Sequence, residues 1–220
     1  MTYPSSTITF QVSSPLLLRP RLILLAAATA CFLTTTVSLR AQAGTEFQIT
    51  KIDPSLPLTP ATTFNGSQKP AIPKKWLEVE VSFSWKPRTT TDKYADELTF
   101  NYYVLLANRG MAFPQGTLLS GQVTHTTVPA GQNDLKSVMY VSPRTLERYF
   151  DGKIPSSASS AVVDIGVTIS YKGQVVAMKS LKGSGEWWPQ FQQTTGGLLN
   201  KSETPFAPLY WDYYEAVKKQ

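Results

Sequence analysis

Residues 76–85 alternate without a break. Leu77, Val79, Val81, Phe83 and Trp85 fall on one face of an extended chain, and Glu78, Glu80, Ser82 and Ser84 fall on the other. A period of two with one apolar side describes a strand with one buried and one wet face, as antiparallel sheets provide. This stretch sets the class of the chain, because a helix would scatter the same residues around its circumference.

Six further segments read as strands. Residues 46–52 alternate. Residues 97–107 align Leu98, Phe100, Tyr102, Val104 and Leu106, and Tyr103 and Leu105 make the second face apolar too. That strand is expected at the centre of a sheet or covered on both sides. Residues 117–128 and 136–141 are weaker strands. In residues 161–171, Val163, Ile165, Val167, Ile169 and Tyr171 are expected inward. Lys172-Gly173-Gln174 reads as a hairpin turn into a return strand at 175–181. Between the weaker strands and that hairpin lies a short helix, capped by Ser142, with Pro143 at its first position and Gly152 at its exit. Residues 54–73, rich in proline, read as a loop or lacing segment. About seven strands, with one short helix before the second-last, describe an immunoglobulin-like antiparallel β-sandwich over residues 44–182.

After the joint Gly183-Ser184-Gly185 the chain changes character. Residues 183–220 hold eight aromatics, among them the Trp187-Trp188 pair, Trp211, Tyr213 and Tyr214. Residues 208–219 read as a C-terminal helix whose aromatic face packs on the sandwich. Trp187, Trp188 and Trp211 are the rings expected at the surface, and they are the candidate interaction residues.

The N-terminus points to export. Arg19 and Arg21 precede an apolar run from Leu22 to Ala30, and Ala41-Gln42-Ala43 offers a signal-peptidase site, so residues 1–43 read as a signal peptide. Two other fates compete with cleavage. One is lipidation at Cys31, which follows Ala28-Thr29-Ala30. The other is retention of residues 22–39 as a membrane anchor, a length marginal for spanning. A type IV pilin leader is not legible, so a major pilin subunit is not expected. Cleavage would leave no cysteine, which excludes disulfides and thiol chemistry. Three of the 21 basic residues and none of the 15 acidic ones lie in the leader, so the rest carries +3. Its basic residues are scattered, which argues against nucleic acid.

Catalytic signals are sparse. His125 is the only histidine, in an alternating polar stretch where an exposed ring is expected. No nucleophile elbow, zinc-protease motif or phosphate loop occurs. Asp92, Asp96 and Glu97 have no calcium-loop spacing and read as turn charges. Glu78 and Glu80 read as residues of a wet sheet face rather than a glycosidase pair. Neither a metal nor a cofactor is expected, and no enzyme.

Residues 76–81, Asp96-Glu97-Leu98-Thr99-Phe100, the helix at 142–152 and Tyr210-Trp211-Asp212-Tyr213-Tyr214 together resemble the pilus-like protein family of mucin-degrading and related verrucomicrobia. The resemblance implies an exported, immunoglobulin-like, non-enzymatic protein in a Gram-negative envelope, associated with a type IV pilus-like assembly. Its expected partners are pilus or envelope proteins, and its location the periplasm, the outer-membrane surface or the pilus. Two other functions stay open. One is a carbohydrate-binding or adhesin module with a glycan partner. The other is a periplasmic assembly factor that offers a sheet edge at 136–141 or 175–181 for strand addition.

Overall fold

The computed structural model describes residues 46–60, 72–89, 91–108 and 116–219. The signal peptide expected at 1–43 and part of the proline-rich segment lie outside them. The described residues belong to one unit, Gln42–Gln220.

Among the described residues the strands are β1 (Phe47–Ser55), β2 (Leu77–Trp85), β3 (Tyr94–Ala95), β4 (Leu98–Leu106), β5 (Thr117–His125), β6 (Val128–Pro129), β7 (Leu135–Val141), β8 (Val162–Tyr171), β9 (Gln174–Ser180), β10 (Gln193–Thr195) and β11 (Leu198–Asn200). Two short helices, α1 (Pro143–Tyr149) and α2 (Ala158–Ala161), precede β8. One sheet has the order β1-β2-β7-β11 and a second the order β10-β5-β4-β8-β9, with β3 and β6 forming a small ribbon. All the pairings are antiparallel except β10 on β5. The chain is mainly β.

Alternation in the sequence becomes burial in the structure. Leu77, Val79, Val81, Phe83 and Trp85 of β2 are fully buried, as are Leu98, Phe100, Tyr102, Val104 and Leu106 of β4. The inward residues of both sheets form one apolar cluster. Aromatic rings cross between the layers: Phe83 meets Phe100 at 4.8 Å between centroids, and Phe47 meets Tyr171 at 5.2 Å. Such ring pairs add to the area they bury. Strand β4 is central in its sheet, as its two apolar faces imply.

Local chemistry explains the connections. The Ser142 side chain accepts from the Thr145 N–H, Pro143 opens α1, and Gly152 takes a left-handed φ of 72° just after it. Lys172 and Gly173 both have positive φ, the geometry of a two-residue hairpin between β8 and β9.

Several expectations need correction. Val163 is 43% exposed, not inward. The β4–β8 register skips it, pairing Leu105 with Asp164 and Leu106 with Val162, and this bulge turns Val163 out while Val162 takes the core position. Ser82 and Ser84 are buried rather than wet. Strand β7 is no free edge, since β2 pairs along one side and β11 takes Met139–Val141 on the other.

The expected helix at 208–219 is absent. Residues 206–213 form turns with i to i−3 bonds, Leu209 N–H to the Phe206 carbonyl and Tyr213 N–H to the Tyr210 carbonyl, and Tyr210 has φ of 55°. The following backbone bonds to strands instead: Glu215 N–H to Lys136 C=O, Lys218 N–H to Thr124 C=O, and Thr126 N–H to Ala216 C=O. Sheet-edge groups with unmet hydrogen bonds satisfy this segment better than a helix shorter than the length at which isolated helices persist.

Candidate interaction surfaces

The three tryptophans singled out by sequence have different environments. Trp188 is only 4% exposed. Its ring stacks on Tyr103 at 4.8 Å and 8°, and it lies so close over Gly166 that a Cβ there would come within 2.3 Å of the ring. Trp188 is therefore a buried anchor, which corrects its place among the surface rings. Trp187 is partly exposed, with its Nε1–H donating to Ser180 Oγ at 2.9 Å and its plane 81° from that of Trp188. Trp211 is 75% exposed, with Lys201 Nζ 5.9 Å from its ring centroid. Tyr210 and Tyr213 are exposed beside it. Phe206 and Tyr214 are the inward rings of this region. Phe206 stacks on Tyr140 at 4.7 Å, and the Tyr214 hydroxyl donates to Glu80 at 3.0 Å.

The joint before Trp187 is anchored by a residue that sequence gave no reason to select. Asp164 accepts from Lys182 N–H at 2.9 Å, Gly183 N–H at 3.1 Å and Ser180 Oγ at 2.9 Å. Only the register that sets Asp164 beside the end of β9 makes it an anchor.

His125 is 1% exposed, not the surface ring that its polar neighbours suggest. Its Nδ1 lies 3.1 Å from the Glu215 carbonyl and its Nε2 lies 2.7 Å from Ser137 Oγ. A carbonyl only accepts, so Nδ1 carries the hydrogen and Nε2 accepts from Ser137. Tyr102 in turn donates to Ser137 at 2.7 Å. One directed chain thus runs from β4 through β7 and β5 to the C-terminal segment. Burial lowers the pKa of His125 to about 4, and the bonds from its ring to the tail backbone oppose that shift. Burial also raises Tyr102 far above the usual phenol range, so it stays a donor. Ser137 is fully buried, and its contact with His125 therefore holds the fold together rather than exposing a nucleophile.

The acids are mostly engaged. Glu80 receives Tyr213 and Tyr214 and lies 3.5 Å from Lys136. Glu78 receives the Ser55 hydroxyl at 2.9 Å, and Glu97 pairs with Lys218. Among the described residues no group of three or more histidine, cysteine or acidic side chains is placed to hold a metal ion, and no helix is long and apolar enough to cross a membrane.

A last surface lies on the outer face of the five-stranded sheet. Register sets Thr124, Thr99 and Ser170 in one row, Gln122, Asn101 and Thr168 in the next, and Ser120, Tyr103 and Gly166 in a third. Trp188 covers the third row, while the first two carry only uncharged polar groups. Thr99 bonds Thr124 at 3.0 Å, and Asn101 Nδ2 donates to Thr168 at 3.2 Å. A cavity of about 470 Å³ opens here between β5 and the turn joining β10 to β11. A second, of about 600 Å³, continues it toward Lys172, and the two share Asn101 and Gln122. The sequence signal for this surface is weak, because alternate polar residues mark any wet face until the register aligns them.

A protein-family model matches residues 38–220. The chain belongs to that family. Among solved structures, a crystal structure of a protein from Akkermansia muciniphila is similar, with a TM-score of 0.66 and 26% identity. The match covers 80% of this chain and 95% of that one. Its source is a verrucomicrobium, the group to which the sequence resemblance pointed. A search of curated proteins finds no match.

Proposed function

We propose that the chain is an exported, non-enzymatic structural or interaction protein of a type IV pilus-like assembly at a Gram-negative envelope. In this reading residues 44–182 form an immunoglobulin-like β-sandwich, residues 183–220 form an extension that completes it, and residues 1–43 direct export. Its partners are pilus or envelope proteins, and it works in the periplasm, at the outer-membrane surface or on the pilus.

The observation that carries the reading is the division of labour among the aromatic and polar residues. The only histidine is committed to holding the C-terminal segment, while Tyr210, Trp211 and Tyr213 stand exposed together on one turn. Exposed aromatics grouped in this way fit an interface better than a solvent surface. Family membership over 38–220 and the likeness to a protein of Akkermansia muciniphila support the envelope setting, on the sequence resemblance given above.

Shearing native cells and sedimenting the filaments tests the proposal. Recovery of the protein in the filament pellet, lost when Trp211 and Tyr213 are both replaced by alanine, is the expected result. Recovery only as a free periplasmic protein, with filaments unchanged in a deletion strain, would overturn it.

A further inference from the structure

We infer that the open half of the outer sheet face, from β10 across β5 and β4 to β8, binds a neutral linear oligosaccharide. This goes beyond the assembly role and does not depend on it.

The first argument is the chemistry of the lining. Amides and hydroxyls both donate and accept, as sugar hydroxyls do. Asn101 and Thr99 are held in place by Thr168 and Thr124, so they present fixed groups on rigid strands. Among the described residues, the side chains of Ser120, Gln122 and Gln193 have no hydrogen-bond partner, which leaves their capacity open to a ligand. Tyr103, with one face covered by Trp188, closes one end of the first cavity.

The second argument is charge. A face meant only for water usually mixes lysine and arginine with acids. The first two rows here carry no charge at all. In the first cavity the single acid, Glu203, accepts from Asn200 N–H, and no cation lines the wall. Lys172 stands only at the far end of the second cavity, beside Asp96 and Glu97. Charges flank this floor without standing on it: Glu203 in the first cavity, Asp96, Glu97 and Lys172 in the second, and Lys218 and Lys219 beside Gln122. The third argument is shape. Two cavities that meet at Asn101 and Gln122 make a trough rather than a pit, which suits a chain of sugar rings.

The test is an NMR titration of the isotope-labelled protein with cellotetraose, maltotetraose and chitotetraose, with inorganic phosphate as the anionic control. At least one tetrasaccharide is expected to shift the side-chain amides of Asn101 and Gln122 and the backbone of β5, with a dissociation constant of about 1 mM or tighter. Gln122→Ala alters an exposed side chain and should weaken binding about fivefold, the loss of roughly one net hydrogen bond. Gln193→Ala should act in the same direction, and Trp211→Ala should leave binding unchanged. Failure of all three sugars to shift these resonances would overturn the inference. So would shifts confined to residues 210–214, equal shifts with phosphate, or undiminished binding by both glutamine variants.

Discussion

Residues 47–180 and residues 186–219 are held by different means. The first region forms long strands whose alternating side chains fill one core, and almost every inward position is aliphatic or aromatic. The second has only three-residue strands and short 3₁₀ turns. It is fixed by separate anchors: Trp188 over Gly166, Phe206 on Tyr140, and the backbone of residues 215–218 on β5 and β7. Distributed burial makes the first region cooperative. The second depends on a few contacts, each of which can be removed alone. Stability of this kind is expected to be uneven along the chain.

The sharpest way to separate the two regions is to damage the first. Phe100 is fully buried between Phe83 and His125. Phe100→Ala should cost about 3–5 kcal/mol and shift the whole urea transition, because the loss of a buried ring leaves a cavity in the shared core.

The next effect lies at the junction of the regions. His125 has a pKa of about 4 when folded and 6.5 ordinarily. Its contribution is fully present above pH 6.5, where the ring is neutral in both states. It is lost as the pH falls from 6.5 toward 4, because the unfolded chain takes up the proton first. The loss should approach about 3 kcal/mol. In His125→Asn the acid slope of stability should flatten over that window, as measured by urea midpoints at several pH values. Hydrogen exchange at Lys218 N–H should rise in the variant before that of the β2 amides, if the tail opens as a unit of its own.

A smaller effect is expected from Gly166→Ala. The new methyl would meet the Trp188 ring, so the ring must move or leave. Overpacking of this kind costs about 1–3 kcal/mol. Near-ultraviolet circular dichroism should lose the Tyr103–Trp188 signal while β-sheet content in the far ultraviolet holds. The smallest effect is Trp211→Ala. With its ring mostly in water, the stability change should stay within about 0.5 kcal/mol. A larger loss would mean that Trp211 belongs to the fold and not to an interface.

The strands were legible because burial and chemistry share a period of two. The seven segments read as strands all lie on strands, and the helix cap at Ser142 stands where its serine and proline suggest. Reading failed where a long-range partner outweighed the local pattern. Residues 208–219 have an amphipathic helical spacing, yet backbone groups of Thr124, Thr126 and Lys136 take up their hydrogen bonds. The polar neighbours of His125 imply a wet ring, yet Ser137 lies 12 positions away in sequence and meets it inside the core. Trp187 and Trp188 are adjacent in sequence, and only the missing side chain of Gly166 decides which of them is buried.

The sequence alone determined that this chain is mainly β, that its core is built from β2- and β4-type strands, and that its single thiol is Cys31. These follow from local periodicity and composition, which need no knowledge of neighbours. The tertiary structure decided the rest: the bulge that turns Val163 outward, the buried chain from Tyr102 through Ser137 to His125, and the polar trough over Asn101 and Gln122. Each depends on which strands lie side by side and in what register, and a shift of one residue would send every such side chain to the opposite face.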